Sequence, residues 1–142
     1  MVDEKEEKKL VIVESPFKGV DWSETRRNVL YARLCVRDCL QRGEAPYASH
    51  LFFTQTGVLD DTIPEERMWG IHAGQVISQR ADLSAVYKDF GISRGMEYGI
   101  KNAQEFHRPI VYRELKDTID LERALQEIGN AQPFIDLGKL LF

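Results

Sequence analysis

Short apolar runs alternate along this chain with longer segments of helical period, and that alternation constrains the fold more than any other feature. Leu10-Val11-Ile12-Val13 is a continuous apolar run of strand length, the pattern of a strand covered on both faces. Glu14-Ser15-Pro16-Phe17 and Lys18-Gly19 then break it into a loop. Ser23 and Glu24 open a long helical pattern in which Val29, Leu30, Leu34, Val36 and Leu40 form the apolar stripe, with Gly43 as its stop. Ala45 to Ala48 leads into a second strand or strand-turn, Ser49-His50-Leu51-Phe52-Phe53. Thr62 is placed to cap the next helix, with Pro64 and Glu65-Glu66 in its first turn; the helix runs to about Arg80.

Leu83 to Tyr87 predicts a third strand, and Asp89-Phe90-Gly91-Ile92-Ser93-Arg94-Gly95 a turn into a helix carrying Met96, Tyr98, Ile100 and Ala103. Pro109 to Tyr112 predicts a fourth strand and Leu121 to Ile128 a short helix. Phe134 to Phe142 forms an apolar tail suited to a subunit contact. The β-α-β-α-β-α-β-α order implies an α/β fold with a parallel sheet of four to five strands and helices on both faces. Residues 1–9 read as a charged lead-in and 10–142 as a single domain.

Composition narrows the function classes. The chain has 142 residues, 43% hydrophobic and 30% charged, enough apolar material for one core and too little length for two of ordinary size. No apolar run reaches the roughly 18 residues of a membrane span. The alternating acids and bases of Met1 to Lys9 are unlike a secretory signal, so a cytoplasmic domain is expected. With 23 acidic against 19 basic residues, the balance argues against a nucleic-acid partner. A small anion held by a few arginines fits better, since Arg26, Arg27, Arg33 and Arg37 cluster. Cys35 and Cys39 fall within a helical apolar stretch and read as small buried hydrophobes in a reducing compartment. His, Cys and acidic residues show no metal-ligand spacing, so neither a metal nor a cofactor is expected.

Parallel sheets bind ligands beyond the carboxyl ends of their strands, so the loops after the first three strands hold the candidates. Glu14 and Asp89 end two neighbouring strands, where paired carboxylates contact ribose hydroxyls or act as general acid and base. Ser93 and Arg94 suit a phosphate at a helix N-terminus, or Ser93 is a plain cap. His50 ends the second strand as a site residue or a hydrogen-bonded structural one. Phe17 and Trp22 can stack on a base or pack a lid. Asn28 and Tyr31, three apart on the first helix, face the first loop. The expected ligand set is therefore Glu14, Ser15, Pro16, Phe17, Asn28, His50, Asp89, Ser93 and Arg94.

Ile12-Val13-Glu14-Ser15-Pro16-Phe17, Pro46-Tyr47-Ala48-Ser49-His50, Ser93-Arg94-Gly95-Met96 with Ala103, and Arg108-Pro109-Ile110-Val111 together resemble the nucleoside 2-deoxyribosyltransferase-like superfamily, in particular its small members from phages and bacteria. The resemblance spans Leu10 to Arg113. It implies a flavodoxin-like (Rossmann-like) three-layer sandwich, a homo-oligomer whose neighbours complete each site, and a nucleoside or nucleotide ligand. In the transferases the third loop carries an aspartate, a Gly-Thr pair, the nucleophilic glutamate three residues after that threonine, and an alanine four residues later. Anchored on Gly95-Met96 and Ala103, the nucleophile position here is Gly99. Glu97 lies two positions away, roughly 200° around the helix. Without that carboxylate the sugar-transfer reaction lacks its covalent intermediate. The resemblance then implies binding without turnover, such as a phage protein sequestering a nucleotide signal, or direct N-glycosidic hydrolysis with Glu14 or Asp89 activating water.

Overall fold

A strand covered on both faces needs apolar side chains at every interior position, and Val11, Ile12 and Val13 are all buried. The computed structural model, which describes residues 7–131, places them in β1 (Leu10–Glu14). Then follow α1 (Trp22–Gln41), β2 (Ala45–Tyr47), α2 (Pro64–Gln79), β3 (Leu83–Tyr87), α3 (Arg94–Glu105), β4 (Ile110–Arg113) and α4 (Leu121–Ala131). The strands form one four-stranded parallel sheet in the order β2-β1-β3-β4. Val11 pairs with Pro46 on one side and Leu83 on the other, and Ala85 pairs with both Val13 and Val111. The fold is the expected α/β three-layer, Rossmann-like sandwich.

Alternation along the central strands assigns the two faces. Val11, Val13, Ala85 and Tyr87 pack against Tyr31, Leu34, Cys35 and Cys39 of α1, and α4 adds Leu121, Ala124, Leu125 and Ile128 to this core. The intervening side chains, Ile12, Glu14, Ser84 and Val86, serve the opposite layer, which holds α2 and α3. Both cysteines are buried and free, as small hydrophobes in that position should be.

Several local expectations shift. The second strand is Ala45–Tyr47, earlier than Ser49–Phe53, and Ser49–Leu51 forms a 3₁₀ turn instead. Pro46 is tolerated because β2 is an edge strand. Helix α1 begins on Trp22, one residue before the expected opening at Ser23, and is capped by Asp21, whose Oδ1 accepts from the Glu24 amide at 2.8 Å. Thr62 does not cap α2. Its amide and hydroxyl both donate to Asp60 Oδ1, and α2 starts on Pro64 without a side-chain cap. Helix α4 extends three residues beyond Ile128. The tail Phe134 to Phe142 and most of the lead-in lie outside the described residues. Among the described residues, no helix is long and apolar enough to cross a membrane.

Candidate functional site

The strand order reverses between β1 and β3, so the loops after these strands leave on opposite sides and open a crevice at their carboxyl ends. A cleft of about 300 Å³ lies on the β1–β2 side of that point, walled by α2. Glu14, Phe17, Tyr47 and His50 line it from the strand ends, and Gly70 and Gly74 line it from α2. The two glycines, one helical turn apart, keep that wall thin: a β-carbon on Gly74 would stand 3.9 Å from the Tyr47 hydroxyl.

Glu14 is the chemical centre of the cleft. Its carboxyl group rests against the backbone of Gly99 in α3, and a β-carbon on that residue would collide with the carboxyl carbon and both oxygens. Among the described residues no hydrogen bond or ion pair reaches this carboxylate. Burial pushes its pKa up to about 7, against the opposing pull of the Arg108 guanidinium. Arg108 is itself held by three partners. Its Nε donates to Ser84 Oγ at 2.8 Å, its Nη1 to the Ser78 carbonyl at 2.8 Å and its Nη2 to Asn102 Oδ1 at 2.9 Å. The cation thus ties α2, β3 and α3 together beneath the cleft. Burial also lowers its own pKa, partly offset by Glu14.

Phe17 and His50 stack face to face, with ring centroids 4.8 Å apart and planes 14° from parallel. His50 Nε2 lies 3.2 Å from the Ser15 carbonyl. A carbonyl only accepts, so Nε2 carries the proton and Nδ1 is left as an acceptor. Burial lowers the His50 pKa, which favours this neutral ring. Asn28 fixes the same loop from behind, its Nδ2 donating to the Phe17 carbonyl at 2.8 Å. Tyr47 adds a buried hydroxyl with no hydrogen-bond partner among the described residues. A ligand in the cleft would meet an aromatic stack, a polarisable carboxyl and a free hydroxyl.

Of the sequence candidates, the structure brings together Glu14, Phe17 and His50, with Ser15 and Asn28 holding their loop. Pro16 is buried in that loop. The others stand apart. Asp89 does not converge with Glu14: its carboxylate accepts from the Tyr31 hydroxyl and from the amides of Leu115 at 2.8 Å and Lys116 at 3.0 Å. Tyr31 therefore serves the third loop rather than the first. Ser93 caps α3, its Oγ accepting from the Met96 amide at 3.3 Å. Arg94 is exposed and outside the cleft lining, and Trp22 is three-quarters exposed. Sequence reasoning missed Tyr47 as a lining residue and Arg108 as a buried cation. The Gly70–Gly74 spacing and the lone serine in the apolar strand Leu83–Tyr87 were the signals available for that wall and that cation's partner.

Residues 9–113 match the model of a family described as a domain of unknown function, DUF7768. The chain belongs to that family. The DUF7768 match begins just before β1 and ends with β4, so it contains the whole sheet and every residue of the cleft. No curated protein matches the chain in sequence.

Proposed function

We propose that this DUF7768 protein binds a nucleoside- or nucleotide-type small molecule in the cleft around Glu14. The observation that carries this reading is the Glu14 carboxyl group, without a hydrogen bond or ion pair among the described residues, in a cleft also lined by the stacked rings of Phe17 and His50. A flat base pairs naturally with such a stack. A sugar hydroxyl or ring nitrogen matches a carboxyl that donates or accepts near neutral pH. The resemblance to the deoxyribosyltransferase-like superfamily supports the same ligand class, and with it a homo-oligomer working in the cytoplasm. In a phage, such a pocket would sequester a host nucleotide signal without chemistry.

A second reading is cleavage of an N-glycosidic bond. It is favoured by one observation: Glu14, with a pKa near 7, fills the space beside Gly99 where the transferase pattern expects its carboxylate. A carboxyl with that pKa can take a proton from water or give one to a leaving base. Incubation with nucleosides, nucleotides, NAD derivatives and cyclic nucleotides, followed by mass spectrometry before and after denaturation, separates the two. Intact ligand released only by denaturation is the expected result, and free base would instead establish the hydrolase. Failure of every compound to bind or to raise the melting temperature would overturn both.

A further inference from the structure

Arg27 lies at the strand-end crevice but outside the lining of the cleft around Glu14. It lies in the second turn of α1, between the loop after β1 and the loop after β3. Its guanidinium carbon sits 3.9 Å from the centroid of the Phe90 ring. Nη2 donates to Asn28 Oδ1 at 3.0 Å, and Asn28 in turn holds the Phe17 carbonyl. Nε is buried and has no hydrogen-bond partner among the described residues. No carboxylate of the described residues forms an ion pair with Arg27; Asp89, on the same loop as Phe90, is engaged with Tyr31, Leu115 and Lys116. Ser15, the first residue after β1, is only 2% exposed, and its hydroxyl also lacks a partner among the described residues.

A guanidinium lying over an aromatic ring, with no carboxylate of the described residues in an ion pair with it, is suited to a pair of anionic oxygens. We infer that Arg27, seated on Phe90 at the β1–β3 crevice, is an oxyanion-binding residue that takes a phosphate group. Phe90 is partly exposed, so the position is open to solvent. The hydrogen-bond relay from Arg27 through Asn28 to Phe17 joins it to the cleft. Resting on the proposed nucleoside reading, this makes a nucleoside monophosphate the preferred ligand, with the base at Phe17 and the phosphate at Arg27. The role first expected of the exposed Arg94 passes to Arg27.

The test uses the whole protein at low ionic strength and titrates inorganic phosphate, adenosine and adenosine 5′-monophosphate separately by calorimetry and ³¹P NMR. Wild type should bind phosphate, Arg27→Gln should weaken that binding about tenfold or more, and Arg27→Lys should fall between them. Circular dichroism confirms that the variants are folded, and Arg27→Lys keeps the charge should Arg27→Gln prove unstable. Phosphate that fails to bind wild type, or that binds all three proteins equally, overturns the inference even if adenosine binds the cleft. Arg27-dependent phosphate binding upholds it even if adenosine does not bind, in which case the nucleoside reading alone fails. A monophosphate preferred over adenosine in wild type but not in Arg27→Gln places the anion on the nucleotide itself. Equal affinity for the two, with phosphate still Arg27-dependent, assigns the site to a free oxyanion.

Discussion

Glu14 illustrates how a single largely buried acid links stability to pH. Its folded pKa of about 7 lies above the ordinary 4.5, so the folded state holds the proton more tightly than the unfolded chain does. The associated stability is fully present below pH 4.5 and is lost as pH rises through 7. Glu14→Gln removes this dependence. Denaturant titrations across pH 4–8.5 should show the variant gaining on wild type as pH rises, by up to roughly 3 kcal/mol at pH 8. Parallel curves for the two proteins would mean that the carboxyl is solvated. Asp89 makes the opposite case. Asp89→Ala should cost about 2–3 kcal/mol, by orphaning Tyr31 and two amides, while leaving cleft affinity unchanged in a binding titration. Both acids were legible as strand-end carboxylates. Their separate fates were not, because they depend on which face of the sheet each side chain leaves and on loops distant in sequence.

At the scale of elements, α3 is positioned by the fit of Gly99 against Glu14 and by Arg108 beneath them. Gly99→Ala places a methyl group on the Glu14 carboxyl, and overpacking of this kind costs about 1–3 kcal/mol. Glu14→Ala removes the clash, so thermal melts of the double variant should show much less loss than the sum of the single ones. Additive losses would mean that the helix, not the carboxyl, absorbs the strain. Arg108→Met removes three hydrogen bonds that join α2, β3 and α3, and should cost about 3 kcal/mol or more. It also removes the positive charge that restrains Glu14, so the carboxyl pKa should move further above 7 in an NMR titration. The element order was readable because apolar runs and helical stripes report local burial. The second strand shifted towards Ala45 because a proline at a sheet edge resembles a loop in sequence. Thr62 failed as a cap because α2 begins on Pro64 and Ile63 takes the N-cap position, which leaves Thr62 one residue outside it with its donors on Asp60.

For the whole molecule, a central sheet of four strands leaves two distinct layers, one committed to packing and one to the cleft. The α1–α4 layer is filled by aliphatic and aromatic side chains and by the two cysteines. The α2–α3 layer carries a carboxylate, a buried arginine and two glycines that line the cleft, an arrangement that suits a ligand better than a packed core. This division follows from strand alternation and was foreseeable from β1, whose apolar run ends in an acid. The wall formed by α2 was not, since the path of a helix across a sheet is a tertiary property. The most direct test of the central claim is a heteronuclear NMR titration with the best-bound member of the nucleoside and nucleotide panel. Amide shifts concentrated at Glu14, Phe17, Tyr47, His50 and Gly70 to Gly74 are expected. Shifts confined to other surfaces, or none at saturating ligand, would contradict that claim.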